Sequence, residues 1–68
     1  MKITVNGAPR LLEPSATLLE VLHSLKLASL ERGIAVCVNG EVVRRQEWER
    51  CQIRPGDELE VVQATQGG

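Results

Sequence analysis

Apolar residues recur along the chain with two different spacings, and each spacing predicts one kind of element. In the stretch SATLLEVLHSLKL, apolar residues recur at i, i+3, i+4 and i+7, at Leu18, Val21, Leu22 and Leu25. At about 100° per residue these positions form one stripe, which is typical of an amphipathic helix packed on a core. Glu20, His23 and Ser24 face away from the stripe, so we expect His23 to be a solvated surface histidine.

The start of this helix carries a capping signal. Thr17 and Glu20 have the T-x-x-E spacing of a capping box, in which each side chain satisfies a backbone donor of the first turn. Upstream, Pro14 predicts the end of a strand, because proline cannot donate to a strand ladder. Gly33 ends the linker after the helix, so the helix is predicted between these two breakers.

The second pattern consists of short runs of β-branched or apolar residues that have the length of strands and are bounded by turn signals. Residues 3–5 are β-branched and are followed by Asn6-Gly7, a strong hairpin signal because both residues tolerate positive φ. A second strand is predicted over residues 10–13. The apolar run IAVCV over residues 34–38 has strand length and predicts a central, well-buried strand.

Alternation assigns the faces of that run. Val36 and Val38 are expected to face the helix, whereas Cys37 lies on the opposite face as a small space-filler. A reactive role for Cys37 is disfavoured, because no histidine or helix N-terminus is evidently placed to lower its pKa.

The second half of the chain continues with turns and strands. Asn39-Gly40 is a second turn signal before a short strand over residues 41–43. The stretch RQEWERC predicts a helical turn with Trp48 against the edge of the domain, and a last strand follows over residues 58–63. One helix covers only one face of such a sheet, so the other face is left free for a partner.

Composition narrows the classes of function. The 68 residues carry a formal net charge of −1 and an aromatic share of 1%. Nucleic-acid binding usually needs a basic patch and often stacking aromatics, so no nucleic-acid partner is expected. No run approaches the roughly 20 apolar residues of a membrane span, and the start lacks a signal-peptide apolar region. We therefore expect a cytoplasmic protein with no membrane partner.

The titratable residues offer no metal site. Cys37 and Cys51 are the only cysteines, and they are expected to be unpaired in a reducing cytosol. They are too far apart for a CxxC motif, and His23 alone cannot complete a four-ligand zinc site. No metal is therefore predicted, and the roles of the two thiols stay open.

Four stretches of the chain resemble the ThiS type of ubiquitin-like β-grasp sulfur carriers, the carriers of thiamine biosynthesis. They are ITVNG, TLLEVLHSL, AVCVNGEVVRRQEW and PGDELEVVQATQGG, and together they cover nearly the whole chain. The Gly-Gly ending and the VNGEVV…W block are the most specific parts. The resemblance implies an α+β fold, a ubiquitin-like β-grasp (ββαββ) with one helix packed on one face of a mixed four- to five-stranded sheet. The domain would span residues 1–64, with a flexible Gly-Gly tail over residues 65–68.

The resemblance also implies a chemical role for the last residue, Gly68. A terminal carboxyl is an anion at neutral pH and a poor electrophile, and the chain has no P-loop or triad to activate it. An adenylyltransferase similar to ubiquitin-activating enzymes, using its own ATP and Mg²⁺, would adenylate Gly68. A cysteine-persulfide route would then give a thiocarboxylate that donates sulfur to thiazole synthase. The chain itself would bind no cofactor and would be a protein cosubstrate rather than an enzyme.

The residues before Gly68 suit this role. Glycines lack Cβ, so the terminal pair can pass through a narrow channel and approach a nucleotide closely. The tail and partner-channel residues are predicted to be Gly67, Gln66, Thr65 and Ala64. Partner docking is predicted at Val62 and Gln63. The family often has glycine or another small residue at positions 64–66, a departure that bears on which partner is recognised.

Three other functions stay open from the sequence. The small subunit of molybdopterin synthase is a related carrier, although such chains tend to be longer and richer in phenylalanine. A ubiquitin-like modifier joined to lysines through Gly68 would share the same ending. A β-grasp interaction domain with an idle tail is the remaining alternative. The native partners would distinguish the first two, and Gly-Gly remnants on lysines would identify the modifier.

Overall fold

The computed structural model of the chain describes residues 1–25 and 33–63. This part contains β1 (Lys2–Val5), β2 (Ala8–Leu11), α1 (Leu18–Ser24), β3 (Ile34–Val38), β4 (Glu41–Val43), a 3-10 turn (Arg45–Glu47) and β5 (Glu58–Gln63). The predicted order of elements is confirmed. Residues 26 and 27 of the predicted helical stretch lie outside the described residues, as do residues 64–68. The division into a domain over 1–64 and a tail over 65–68 therefore stays a prediction.

The five strands form one mixed sheet in the order β2-β1-β5-β3-β4. β1 and β5 run parallel, and the other neighbouring pairs are antiparallel. The helix covers one face of this sheet, which confirms the predicted α+β arrangement of the β-grasp type. The last strand, β5, lies in the middle of the sheet, so the strand that leads to the predicted tail has a partner strand on both sides.

The core lies between the helix and the inner face of the sheet. The predicted stripe of α1 is confirmed, because Leu18, Val21 and Leu22 are buried and Leu25 is half-buried against them. His23 is exposed, as expected. The rest of the core comes from the strands and the loop before β5, at Ile3, Val5, Val36, Trp48, Ile53 and Leu59.

Two predictions about burial are wrong. Trp48 does not lie at the edge of the domain but is 3% exposed within the core, where its indole N–H donates to the Val43 carbonyl at 3.0 Å. Its burial is favourable because the ring has a large apolar surface and its one polar group keeps a hydrogen-bond partner inside the core. β3 is not well buried as a whole. Only Val36 is fully buried, because the helix covers one face of β3 and leaves Ala35 exposed on the other.

Both Asn-Gly pairs form tight hairpin turns, as predicted. Asn6 and Asn39 have φ values of 51° and 52°, and the glycines after them have φ values of 84° and 86°. Positive φ at both central residues is the type I′ pattern. Because the first turn sets Val5 opposite Ala8, β2 begins at Ala8 and ends at Leu11, whereas the sequence predicted a strand over residues 10–13.

Hydrogen bonds satisfy the backbone N–H groups at the start of the helix. The Thr17 hydroxyl accepts from the Glu20 backbone N–H at 3.2 Å, and the Glu20 carboxylate accepts from the Thr17 N–H at 2.9 Å, so the capping box is confirmed. The N–H groups of Leu18 and Leu19 donate to carbonyls in the segment 48–51, at 2.8 and 3.1 Å. First-turn donors that a helix cannot satisfy internally are thus satisfied by the loop before β5.

Candidate functional site

The predicted docking residues lie together at the end of the middle strand. β5 ends with Val62 and Gln63, whose Cα atoms pair with those of Ala35 and Ile34 in β3. Val62 is 62% exposed on the sheet face opposite the helix. The predicted tail residues and the modification site lie outside the described residues, at Ala64, Thr65, Gln66, Gly67 and Gly68. The docking role of Val62 and Gln63 and the tail both stay predictions.

Beside Val62 the open face of the sheet is apolar. Ala35 pairs with Val62, and Val42 of β4 pairs with Cys37 of β3. Residues that pair directly across strands project from the same face, so we call these four residues the open-face strip. Val42 is 72% exposed. The sequence predicts a free face, and the alternation of inward and outward residues in β4 is the signal that identifies Val42 as part of it.

Carboxylates border the strip on β5. Glu60 pairs with Cys37, and Glu58 lies on the same face of the strand; both are exposed. Another exposed apolar residue of this face, Leu11, lies on the edge strand β2 opposite Lys2 and is 82% exposed. β1 separates β2 from β5, so Leu11 is not part of the strip. The surface next to the end of β5 is therefore apolar with an acidic border.

Two asparagine side chains bind the backbone near the two ends of β5. The Asn6 carboxamide accepts from the Val61 N–H at 2.9 Å and donates to the Val61 carbonyl at 3.2 Å. The Asn39 carboxamide accepts from the Glu58 N–H at 2.9 Å and donates to the Asp57 carboxylate at 3.0 Å. The sequence predicts only a turn role for both asparagines. No local signal shows the second role, because the partners are 55 and 19 residues away.

The thiol of Cys51 is not prepared for nucleophilic chemistry. Burial raises the pKa of this thiol, and the carboxylates of Asp57 and Glu47 raise it further. A thiol with a raised pKa stays protonated at neutral pH and is a poor nucleophile. Cys37 is half-buried on the open face, as the predicted alternation requires.

Metal-binding clusters and membrane-spanning helices are not found in the described part of the chain. Within 1–25 and 33–63, no group of three or more His, Cys, Asp or Glu side chains is arranged to hold a metal ion. In the same residues, no helix has the length and apolar character needed to cross a membrane.

Known proteins resemble the chain over its whole length. The family model of the ThiS family matches residues 3–68. The crystal structure of the thiamine biosynthesis protein (ThiS) from Geobacter metallireducens is similar with a TM-score of 0.85 and 33% identity, covering 100% of both chains. The NMR solution structure of a thiamine biosynthesis protein from the same organism gives a TM-score of 0.81 and 34% identity, covering 100% of this chain and 88% of that chain. A search of curated proteins found no significant match.

Proposed function

Because the chain belongs to the ThiS family, we propose that it is a sulfur carrier protein of thiamine biosynthesis. The observation that carries the proposal is the family match over residues 3–68, which takes in the folded strands together with Gly67 and Gly68. The likeness to two solved structures of thiamine biosynthesis proteins supports the same role. In this role the chain is a protein cosubstrate that partner enzymes modify, rather than an enzyme.

The proposed reaction takes place at the carboxylate of Gly68. In the active site of an adenylyltransferase of the ubiquitin-activating type, which uses ATP and Mg²⁺, this carboxylate attacks the α-phosphate. Pyrophosphate leaves and an acyl-adenylate is formed. The outer sulfur of a cysteine persulfide on a partner then attacks the acyl carbon, AMP leaves, and an acyl disulfide is formed. A second thiol attacks the cysteine sulfur of this S–S bond, so that a disulfide forms between the two thiols and the carrier leaves as the thiocarboxylate. The resulting thiocarboxylate donates its sulfur to thiazole synthase.

The division of labour follows from the chemistry of a carboxylate. With a pKa of about 3.3–3.7, a terminal carboxyl is ionised at neutral pH and must be activated before it can donate an acyl group. Residues 65–68 span at most about 13–14 Å when extended, enough to enter a buried site while the sheet stays outside. Gly67 and Gly68 lack Cβ, so they fit a narrow channel beside a nucleotide.

We also propose that the partner enzymes dock on the open-face strip and the end of β5. Val42 and Val62 give the strip exposed apolar surface directly beside the point where the chain leaves Gln63. Contact there removes apolar area from water, and basic side chains at the rim of a partner would complement Glu58 and Glu60. Docking at this place holds the following residues, Ala64, Thr65 and Gln66, at the entrance of the partner's channel.

Mass spectrometry of the intact protein tests the reaction. After incubation with an activating enzyme, ATP and a sulfur source, the protein should gain the mass difference of one oxygen-to-sulfur exchange at Gly68. Deleting Gly68 should abolish the gain and leave the circular dichroism spectrum unchanged, because the deleted residue lies beyond the last strand. No gain in mass, with an activating enzyme that modifies another ThiS-family carrier, would refute the proposal.

The recipient of the sulfur is tested by recovering native partners of the tagged protein from its own cells. Recovery of thiazole synthase supports the thiamine role. Recovery of a molybdopterin synthase large subunit instead assigns the carrier to that pathway. Gly-Gly remnants on lysines of other proteins, detected by peptide mass spectrometry, would identify a protein modifier.

A further inference from the structure

The first hairpin turn holds β5 by a contact that lies beyond the strand ladder. β1 pairs with β5 in parallel, with Val5 opposite Leu59. The Asn6 N–H continues this pairing by donating to the Leu59 carbonyl at 2.9 Å. At a φ of 51° the chain then turns away into β2, so the backbone of β1 does not run alongside Val61. Val61 is the next residue of β5 whose peptide groups face this side.

The carboxamide of Asn6 supplies the acceptor and the donor that two successive peptide groups of a longer β1 would offer. Hydrogen bonds in a parallel pair are evenly spaced, so the next bonds of this ladder fall on the N–H and the carbonyl of Val61. Asn6 Oδ1 accepts from that N–H at 2.9 Å, and Nδ2 donates to that carbonyl at 3.2 Å. A carboxamide carries a carbonyl acceptor and N–H donors, as a peptide group does. The side chain therefore extends the ladder without extending the strand.

From this geometry, and resting on the proposed function, we infer that Asn6 is a positioning residue that fixes the direction in which β5 presents the tail. Without its two bonds, β3 would be the one described strand that holds β5 beyond Leu59. The end of the strand could then swing, and more orientations of residues 64–68 would miss a partner's channel. Asn6 acts through β5 and not through contact with the reacting carboxylate or with a partner.

Asn39 provides a matched control of the same chemistry at the other end of the strand. It has a φ of 52°, precedes a glycine, and accepts from the Glu58 N–H at 2.9 Å. Glu58 is the first residue of β5, so the Asn39 bonds hold the end that is far from the tail. Glycine tolerates positive φ, so Asn6→Gly and Asn39→Gly both keep the turn and remove only the carboxamide.

Amide hydrogen exchange measured by NMR tests the contact without any partner enzyme. In Asn6→Gly the Val61 amide should exchange roughly threefold to tenfold faster, the range for loss of one net hydrogen bond. The amide of Thr4, which donates to a main-chain carbonyl, should keep its protection. In Asn39→Gly the Glu58 amide should lose protection and the Val61 amide should not. Unchanged protection of Val61 in Asn6→Gly would overturn the inference.

Adenylation kinetics separate positioning from stability. Both variants are assayed at an equal folded fraction. Asn6→Gly should raise the KM for the carrier several-fold at unchanged kcat. Asn39→Gly should have the same KM and kcat as the protein without substitution. Equal KM values for the two variants would show a structural role only and overturn the inference. If the unmodified sequence is not adenylated at all, the proposed function fails, whereas the exchange experiment still decides whether Asn6 holds Val61.

Asn6→Asp is a second variant in case Asn6→Gly does not fold. Aspartate tolerates the same turn conformation and keeps an acceptor for the Val61 N–H, but it has no donor for the Val61 carbonyl. The Val61 amide should therefore remain protected while the KM still rises, by less than in Asn6→Gly. An Asn6→Asp variant with an unchanged KM would show that the Nδ2 bond has no part in presenting the tail, and would overturn this part of the inference.

Discussion

Trp48 is the single aromatic ring in a core otherwise made of aliphatic side chains. It is 3% exposed, and its indole N–H donates to the Val43 carbonyl at 3.0 Å. The guanidinium carbon of Arg45 lies 6.0 Å from the centre of its ring, which is the outer limit of a cation–π contact. Trp48 therefore connects β4 and the 3-10 turn to the core through one side chain.

Removing this ring should lower the free energy of unfolding by a large amount. Trp48→Ala should lower the free energy of unfolding by about 3–5 kcal/mol, because it leaves a large cavity. Trp48→Phe keeps a ring but removes the donor to Val43, so a loss of about 1 kcal/mol is expected beyond any change in packing. Urea unfolding followed by circular dichroism measures both variants. Similar losses for the two variants would show that the volume of the ring contributes little to stability.

Cys51 gives the stability of the domain a defined dependence on pH. In the unfolded chain the thiol has its ordinary pKa of about 8.5. In the folded state burial raises the pKa of this thiol, and the carboxylates of Asp57 and Glu47 raise it further. Above about pH 8.5 the unfolded chain has lost the proton and the folded protein still holds it. The folded state then binds more protons, so the free energy of unfolding must fall as the pH rises.

Cys51→Ala isolates this effect. Below about pH 8.5 the thiol is protonated in both the folded and the unfolded state. The stability of the protein without substitution and that of the variant should therefore change in parallel with pH. At higher pH the unmodified sequence should lose stability more steeply than the variant, until the thiol also ionises in the folded state. Urea unfolding with a reductant present, between about pH 7 and 10, measures the difference. Parallel profiles over the whole range would show that Cys51 is not the group responsible.

At the scale of elements, the stability of α1 depends on the cap at its N-terminus. A helix of seven residues is too short to be stable alone, and its first-turn donors are satisfied by Thr17 and by the loop before β5. Thr17→Ala removes the hydroxyl acceptor and should cost about 1 kcal/mol of unfolding free energy. Thr17→Ser keeps the hydroxyl and should retain most of the stability. Thermal or urea unfolding of the two variants checks this, and equal losses would argue against the capping bond.

The elements that the sequence predicted well are those with local signals. The stripe at Leu18 and Val21, the T-x-x-E cap and the Asn-Gly turns each depend on residues a few positions apart, and all are confirmed. The start of β2 was placed too late, because the alternation after a tight turn begins at once and Ala8 gives no β-branched signal. Trp48 was misplaced because its burial depends on the whole core.

The long-range features of the site could not be predicted from local sequence patterns. The middle position of β5 is a property of sheet order, and the Asn6 bonds to Val61 join residues 55 positions apart. Val62 and Gln63, the predicted docking residues, are the last two residues of β5. Their role in docking, and the tail at Gly67 and Gly68, stay predictions because no described contact tests them.

For the molecule as a whole, the sheet order determines what a partner meets beside the tail. β5 lies between β1 and β3, so the chain leaves the domain from the middle of the sheet and not from an edge. The helix covers the inner face, which leaves the outer face as the broad surface around this exit. Two exposed apolar residues on that face, Val62 and Leu11, lie at different distances from the exit and therefore distinguish docking from general surface effects.

Val62→Glu should weaken adenylation of the carrier, and Leu11→Glu should not. Both residues are largely exposed, at 62% and 82%, so each change should alter the free energy of unfolding by less than about 1 kcal/mol. Glutamate at position 62 replaces apolar contact area in the open-face strip with a carboxylate, whose removal from water on docking is costly. The KM for the activating enzyme should therefore rise several-fold. Leu11 lies on β2, beyond β1, so its variant should keep the KM of the unmodified sequence. Equal KM values for the two variants would show that partners do not dock on the strip.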